Sequence, residues 1–458
     1  MEETRFSRRT MLAAVPIVGG AAFLAACGTV QVAAPMEEEA APEEKAEAAP
    51  EPAEEVQLTY LSRDSDSATL KVRALFDKFE AANPNITITI QNMSSGDEAK
   101  TKLLVQAASG VPIDFLRTSW GSFADLIEGE ILSPLDDFFK ADGLVPAEHF
   151  LPNSLTHWTV GGVLYGWPGS GNCDAVLLNK TMLDTAGLEP PPINPTDASW
   201  NMDTFLEYAK AMTQGNEQFG HNGGVSASDG TRGHQRGAYF GQISWDAERQ
   251  VATMDHPKFI EGLAYWVDLK LKHRVVPSAE DAEGLGAANT GRRAMWETGK
   301  VGMNITNGYR QVEFEAIGAT LPFSAEVNIS GRSWFPAILI GFSLNPDETW
   351  QVNRWMMEPE PNTEFTLAMG HTISAVQTAV NMPAEQLKET VGFDAIAHAE
   401  QAKFSPPASY GMNAYPTWGD VGTALRPHFD AYDAGELTPE EYGRVATDII
   451  NELLVPKE

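Results

Sequence analysis

The stretch "GGVLYGWPGSGNCDAVLLNKTMLDTAGLEPPP" (residues 161–192) decides the fold. Its first part is rich in glycine and carries Tyr165, Trp167 and Pro168, a composition typical of a loop. The short apolar run "AVLLN" (175–179) follows and predicts a buried strand. The stretch therefore places an aromatic loop just before a strand of the core.

Strands and helices alternate on both sides of this stretch. Apolar runs predict strands at "VQLTYL" (56–61), "ITITIQ" (86–91), "IDFL" (113–116) and "AILIGFSL" (337–344). Apolar residues at helical spacing predict helices around 72–79, 97–108, 205–212, 260–271 and 442–453. The last helix opens with a capping box from Thr438 to Glu441. This alternation predicts an α/β fold with a largely parallel sheet.

The N-terminus has the pattern of an export signal. "SRRTML" (7–12) puts two arginines before an apolar run that ends at Ala26. That run is shorter than the roughly 20 residues that a membrane-spanning helix needs, so residues 1–26 are predicted to be a signal peptide. The pair Arg8 and Arg9 resembles a twin-arginine signal. An ordinary secretory signal that carries two arginines is the alternative.

"LAAC" (24–27) resembles the lipobox of bacterial lipoproteins. In that class the cysteine is lipidated and becomes the first residue of the mature chain. A lipid with two acyl chains anchors firmly, because each buried CH₂ group contributes about 0.8 kcal/mol. We therefore expect Cys27 to hold the protein at the outer face of the cytoplasmic membrane. A buried thiol, or a disulfide with Cys173, is the alternative for Cys27.

Residues 27–55 are predicted to be a disordered acidic tether. From residue 36 onward this segment is almost entirely Glu, Ala and Pro, which cannot bury a core. The whole chain carries a net charge of −31, and the part after residue 55 accounts for −24 of it. Nucleic-acid binding needs a basic surface, so we expect no nucleic-acid partner and membrane contact only through the lipid.

The sequence shows no catalytic motif. G-x-S-x-G, H-E-x-x-H and the phosphate-binding loop are all absent. "DSDSATL" (64–70) resembles the start of a calcium loop, but Thr69 stands where glycine is required and Leu75 where glutamate is required. We therefore expect no catalytic residue, no cofactor and no metal site. A secreted carbohydrate-active enzyme is the alternative, because two carboxylates at a set separation cannot be recognised from sequence.

Five of the eleven tryptophans lie beside Gly, Pro or Ser in predicted loops: Trp120, Trp167, Trp245, Trp334 and Trp418. In open α/β sheets, ligands bind at the loops after the carboxyl ends of strands. A sugar ring has an apolar face of C–H bonds that suits a flat aromatic side chain. The set therefore indicates a carbohydrate site, with ordinary packing as the alternative for each tryptophan.

Taken in order, these segments resemble the family 1 extracellular solute-binding proteins of bacterial ABC importers, the group that includes maltose-type carbohydrate binders. The resemblance is carried by the opening stretch and by "LFDKFEAANPNITITIQ" (75–91), "KLLVQAASGVPIDFL" (102–116), "SWNMDTFLEYAKAMT" (199–213), "TGRRAMWETGKVGMNITNG" (290–308) and "GELTPEEYGRVATDIINELL" (435–454). Two features depart from it, the Gly- and His-rich segment 216–240 and Arg117 at a strand exit. The ligand therefore cannot be taken from the family.

The resemblance implies a two-lobed, periplasmic-binding-protein-like (type II) fold with discontinuous lobes joined by hinge strands. Lobe one would comprise residues 56–169 and 322–372, and lobe two residues 170–321 and 373–458. The protein would be a monomer that captures a sugar or oligosaccharide between closing lobes and delivers it to an ABC permease. A polyamine or a phosphorylated polyol in the same role remains open.

The residues that we expect to contact the ligand are Arg63, Asp64, Ser119, Trp120, Trp167, Trp245, Tyr309, Trp334 and Trp418. Four arginines also lie beside these loops: Arg63, Arg117, Arg310 and Arg332. Because guanidinium groups bind carboxylates bidentately, an acidic sugar is an open variant. Ordinary pairing with neighbouring acidic side chains is the alternative for each arginine.

Overall fold

The computed structural model describes residues 54–62, 64–92, 96–118, 123–223, 237, 240, 242, 244–246, 251–285, 291–306, 312, 314–323, 333–334, 337–391, 393–403 and 418–454. The strands are β1 (Val56–Ser62), β2 (Ile86–Asn92), β3 (Phe115–Thr118), β4 (Thr159–Val160), β5 (Val163–Leu164), β6 (Gly166–Pro168), β7 (Asn172–Cys173), β8 (Ala175–Asn179), β9 (Phe219–His221), β10 (Trp245–Asp246), β11 (Val251–Ala252), β12 (Val301–Thr306), β13 (Ala316–Ala319), β14 (Ser333–Trp334) and β15 (Ala337–Ile340).

The helices are α1 (Asp66–Ala82), α2 (Gly96–Ala108), α3 (Phe123–Glu128), α4 (Asp136–Ala141), α5 (Pro146–His149), α6 (Pro152–Leu155), α7 (Lys180–Thr185), α8 (Met202–Ala211), α9 (Pro257–Leu271), α10 (Ala279–Gly284), α11 (Gly291–Glu297), α12 (Pro346–Met356), α13 (Pro359–Ala368), α14 (Met382–Val391), α15 (Ile396–Ala402), α16 (Trp418–Ala434) and α17 (Pro439–Leu454). Short 3₁₀ helices occupy Thr156–Trp158 and Gln377–Ala379.

The first sheet has the strand order β2-β1-β3-β15-β6. β1 is parallel to β2 and β3, whereas β15 is antiparallel to β3 and β6. α1 covers this sheet with the face that the sequence predicts, burying Val72, Leu75, Phe76 and Phe79. The helix ends before Asn83 and Pro84, because the residue before a proline is disfavoured in helical conformation.

The second sheet has the order β13-β8-β12-β9. β8 is antiparallel to both of its neighbours, and only β12 and β9 are parallel. The predicted largely parallel sheet is therefore wrong: both sheets are mixed. Parallel pairing follows from strand–helix–strand units within one sheet. β8 and β15 instead follow chain segments that arrive from the other sheet, so no such unit fixes their direction.

Two predicted strands have different limits from those expected. β3 begins at Phe115 rather than at residue 113, and β15 ends at Ile340 rather than at residue 344. The buried carboxylate of Asp114 accepts hydrogen bonds from the Thr59 amide at 2.7 Å and from the Ser343 hydroxyl. On the side of β1, the Asp114 side chain thus takes the place of a backbone acceptor. On the side of β15, backbone hydrogen bonds still join Gly341 to Asp114 and Ile113 to Phe342, outside the regular strand limits.

The buried apolar side chains form separate clusters for the two sheets. The cluster around the first sheet draws on residues 58–173 and 338–379 together with Ala402, and the main cluster around the second on residues 176–321. This first cluster reaches past the expected lobe limits at 169 and 372, to Cys173 and to Ala379. A third cluster joins α9 to α16 and α17.

The capping box of α17 forms as the sequence predicts. The Thr438 amide donates to Glu441 Oε2 at 2.9 Å, and the Glu441 amide donates to Thr438 Oγ1 at 3.2 Å. The backbone N–H groups of Thr438 and Glu441 have no carbonyl partner within the helix, and each therefore bonds to the side chain of the other residue.

Candidate functional site

One edge of the first sheet collects the ends of several strands. β1, β2 and β3 are parallel, so their carboxyl ends share this edge. β15 runs the opposite way and begins here, with Ala337 level with Thr118 of β3 and Pro168 of β6. Ligands bind at the carboxyl ends of strands in open α/β sheets, which makes this edge the candidate site.

An ion pair joins the ends of two neighbouring strands at this edge. Arg117 of β3 donates from Nη1 to Oδ1 of Asp64, which follows β1. The Arg117 side chain is 14% exposed and that of Asp64 is 3% exposed. Asp64 Oδ2 and Arg117 Nε have no hydrogen-bond partner among the described residues. Both atoms are buried, and a hydrogen bond between the Tyr60 and Asp64 side chains contributes to the raised pKa of the tyrosine.

Two neutral side chains lie within the electric field of this pair. Burial raises the pKa of the Tyr60 hydroxyl well above its ordinary value; the Asp64 charge adds to this rise and Arg117 opposes it. Burial lowers the pKa of His371 well below its ordinary value, and the Arg117 charge lowers it further. Tyr60 and His371 are thus neutral near pH 7.

The chain crosses between the two sheets directly beside this group. Gly171 and Ile373 exchange backbone hydrogen bonds of 2.8 and 3.0 Å. Ser170 Oγ lies 2.8 Å from His371 Nδ1, and Asn172 Oδ1 accepts from the Thr372 amide at 3.1 Å. Residues 169–173 and 371–373 therefore form a pair of crossing segments joined by both backbone and side chains.

The second sheet presents polar side chains at the edge where these crossing segments arrive. Ala175, the first residue of β8, is level with Thr306, the last residue of β12. β9 is parallel to β12 and ends at the same edge. Just beyond it, Asn222 donates from Nδ2 to Oδ1 of Asn304, and both are buried. Amides of this kind can donate to and accept from a hydroxyl-rich ligand.

The structure locates only part of the ligand set that the sequence predicts. Asp64 lies in the ion pair described above. The backbone of Trp334 pairs with Asn172 of the crossing segment, Trp245 begins β10 and Trp418 begins α16. The remaining predicted ligand residues, apart from Trp167, lie outside the described residues: Arg63, Ser119, Trp120 and Tyr309.

Trp167 has a different position from the expected one. Its side chain is 0% exposed and belongs to the apolar cluster of the first sheet. The indole N–H donates to Asn353 Oδ1 at 2.8 Å, and the ring stacks on Phe150 at a centroid distance of 6.1 Å. A ring covered on both faces gives a sugar nothing to stack on, so we remove Trp167 from the expected ligand wall.

Sequence reasoning did not identify Tyr60, Ser170, Asn172 or His371 as members of this region. These residue types are common in cores and loops, and none of them stands in a recognisable motif. Their position depends on the pairing of segments 200 residues apart, as between Asn172 and Thr372. The one available signal was Arg117, a charged side chain directly after an apolar strand.

Across the part of the chain that the structure describes, no three His, Cys, Asp or Glu side chains are grouped so that they could hold a metal ion. Over the same residues, no helix has the length and apolar character to cross a membrane.

Comparison with solved structures identifies the fold. The protein is similar to an ABC substrate-binding protein from Listeria monocytogenes in complex with cycloalternan, with a TM-score of 0.68 and 18% identity over 88% of this chain and 100% of the other. It is also similar to a cyclic alpha-maltosyl-1,6-maltose binding protein from Arthrobacter globiformis, with a TM-score of 0.67 and 18% identity over 87% and 99% of the two chains. The fold is therefore the two-lobed one of periplasmic solute-binding proteins.

Sequence comparison identifies the family. A binding protein of Brucella abortus (strain 2308) is 22% identical over 299 residues, which cover 63% of this chain and 68% of that protein. The family model for bacterial extracellular solute-binding proteins matches residues 65–356, more than half of the chain. The protein thus belongs to the family 1 bacterial extracellular solute-binding proteins.

Proposed function

We propose that this protein is the lipid-anchored binding component of a bacterial ABC importer and captures a sugar or oligosaccharide between its two lobes. The observation that carries the proposal is the Asp64–Arg117 pair, placed where the edge of the first sheet meets the crossing segments. The carboxylate accepts and the guanidinium donates, which suits a hydroxyl group, because a hydroxyl both donates and accepts.

The structural neighbours support a sugar as the ligand class. The Listeria protein is in complex with cycloalternan, and the Arthrobacter protein binds cyclic alpha-maltosyl-1,6-maltose. Arg117 is already paired with Asp64, which favours a neutral sugar over an acidic one. Trp120, Trp245, Trp334 and Trp418 remain the proposed aromatic walls, with Arg63, Ser119 and Tyr309 as further ligand contacts.

Capture by domain closure is the proposed mechanism. Lobe one comprises residues 56–169 and 322–372, and lobe two residues 170–321 and 373–458. The crossing segments 169–173 and 371–373 act as the hinge, so that closure brings Asn222 and Asn304 toward the Asp64–Arg117 pair. The loaded monomer then docks on a membrane permease. The proposed cycle has no covalent step and requires no enzymatic activity.

The lipid anchor is proposed at Cys27, in "LAAC". Mass spectrometry of the membrane-extracted protein should find a mature chain that begins at residue 27 and carries a lipid adduct. Cys27→Ser should release the protein from the membrane fraction. Equal membrane retention of wild type and variant would contradict the anchor.

A thermal-shift screen tests the ligand class. The panel should hold neutral oligosaccharides, uronic acids, spermidine and glycerol phosphate. A ligand at 100 times its Kd stabilises by about 2.7 kcal/mol, and each kcal/mol raises Tm by about 2–4 °C for a domain of this size. Stabilisation by spermidine or glycerol phosphate alone would overturn the sugar assignment. Cleavage of an oligosaccharide during incubation would support the enzyme alternative.

A further inference from the structure

Five large apolar side chains are exposed at the end of the first sheet that lies opposite the candidate site. Leu104 and Val105 lie on α2, Val111 follows that helix, and Phe342 and Leu344 follow β15. Their exposed fractions are 39, 59, 43, 45 and 66%, respectively. We call these five residues the apolar patch. Single exposed apolar side chains are ordinary, whereas a contiguous group marks a surface that binds something.

Backbone hydrogen bonds bring together the segments that carry the patch. β15 is antiparallel to β3, with Ile340 level with Phe115. The Ile113 amide donates to the Phe342 carbonyl at 2.8 Å, which brings the residues that follow β15 beside the residues that precede β3. The Val111 amide donates to the Gln106 carbonyl of α2 at 2.9 Å. The patch therefore extends from the last turns of α2 to the residues that follow β15.

The folded chain begins at the same end of the sheet. β1 is parallel to β3 and Tyr60 is level with Phe115, so the first residue of the strand, Val56, lies toward the patch end. Between Cys27 and Glu54 there are 27 peptide links, which span at most about 100 Å. A lipid on Cys27 therefore tethers the domain by the end of the sheet that carries the patch.

We propose that the apolar patch inserts into the outer surface of the bilayer that holds the lipidated Cys27; this rests on the anchor proposed above. A tether of this length keeps the patch at high effective concentration near the bilayer, so weak insertion of five side chains is sufficient. In this posture the opposite edge, with Asp64 and Arg117, faces the surrounding solution from which the ligand arrives. The patch thus serves ligand capture by orienting the anchored domain.

The charges beside the patch determine how this contact responds to salt. The exposed acids Glu54 and Glu55 directly precede β1 at this end of the sheet, and the exposed Asp347 follows Leu344 by three residues. Anionic lipid headgroups repel these acids. Insertion is therefore driven by the apolar side chains against an electrostatic cost. Because salt screens that repulsion, the contact should strengthen as the ionic strength rises.

The test uses the full-length lipidated protein on vesicles of phosphatidylcholine and phosphatidylglycerol. An environment-sensitive nitrobenzoxadiazole fluorophore is attached to Leu344→Cys and, as the matched control, to Leu70→Cys, which is 72% exposed on α1. The native thiols do not interfere, because Cys27 is blocked by its lipid and Cys173 is 0% exposed. The label at position 344 should shift to the blue and be quenched by brominated lipids, more so at high salt. The label at position 70 should not change.

A second variant separates the patch from the anchor. Val105→Glu should abolish the quenching at position 344 while the protein still floats with the vesicles, and Leu70→Glu should leave the quenching unchanged. Flotation without quenching at position 344 would overturn the inference. Failure to float would identify the anchor as the failed step and overturn the inference with it. A dimer in sedimentation experiments that Val105→Glu dissociates would assign the patch to a second copy instead.

Discussion

Arg117 and Asp64 follow neighbouring strands of the first sheet, and their side chains form an ion pair that is largely removed from water, with 14% and 3% exposed. The pairing leaves no net charge on the two residues. A carboxylate ligand that approached Arg117 would also meet Asp64. Under the proposed function, this pairing favours a neutral sugar over the acidic sugar that the sequence also allowed.

We expect Asp64→Asn to change the charge preference of the site. Loss of a hydrogen bond to a charged group costs about 1.5–3 kcal/mol, so affinity for a neutral saccharide should fall by roughly tenfold to a hundredfold. The uncompensated Arg117 should at the same time favour the corresponding uronic acid. Calorimetric titration with galactose and galacturonate, or with glucose and glucuronate, measures both effects.

Asp77→Asn is the matched control for this change. Asp77 pairs with Arg73 at 2.8 Å on the exposed face of α1, so the same charge is removed next to an arginine far from the site. The control should leave the ratio of the two affinities unchanged. Equal ratios in wild type, Asp64→Asn and Asp77→Asn would contradict a role for Asp64 in ligand choice.

The buried position of Trp167 predicts a stability effect without a binding effect. Asn353→Leu leaves the indole N–H without its acceptor and removes the side-chain amide that donates to the Thr349 carbonyl. A buried group left unsatisfied costs about 1–3 kcal/mol, which lowers Tm by about 2–4 °C per kcal/mol. Ligand affinity should not change, because the tryptophan does not reach the ligand. Thermal unfolding and titration of the same variant give both values.

Gln351→Leu is the control on the same helix. Gln351 is exposed and donates to Asn83, and exposed substitutions usually change stability by less than about 0.5 kcal/mol. A variant at Asn353 that loses affinity but keeps its Tm would return Trp167 to the ligand wall.

The contrast between Trp167 and α1 shows what could be predicted from sequence. The α1 face and the α17 capping box depend on spacing within a few residues, and both are confirmed. Trp167 stands in a glycine-rich loop composition, yet its acceptor is Asn353, 186 residues away. The mixture of parallel and antiparallel strands has the same origin. β8 pairs with β12 and β13 only after the chain has crossed from the first sheet to the second. Contacts between segments that are distant in sequence leave no local pattern.

Acid should destabilise the protein partly through His398. Burial lowers the pKa of this fully buried imidazole to about 4, against the opposing influence of the Thr306 carbonyl and Asp394. The unfolded chain binds the proton below about pH 6.5, so stability is complete above that pH and is lost as the pH falls toward 4. The loss is roughly 3 kcal/mol at pH 4, by the factor of 1.36 kcal/mol per pKa unit.

His398→Gln should remove this part of the pH dependence. Its Tm should fall less steeply than that of wild type between pH 6.5 and 4, while His371, whose pKa is also lowered, continues to contribute. His428→Gln, at a half-exposed position of α16, is the control. Parallel Tm curves for wild type and His398→Gln would show that His398 is not buried in its neutral form.

Closure about the crossing segments predicts a distance change between the lobes and none within a lobe. Segments 169–173 and 371–373 are held together by the Gly171–Ile373 bridge and by the Ser170–His371 contact, so rotation is confined to the short stretches that flank them.

Spin labels at Leu70→Cys and Ile193→Cys report across the proposed lobes, and both positions are exposed. The pair Leu70→Cys and Val145→Cys lies within lobe one and serves as the control. A saccharide that raises Tm should shorten the first distance and leave the second unchanged. Shortening of both distances would indicate compaction of the whole molecule, and no change in either would contradict capture by closure.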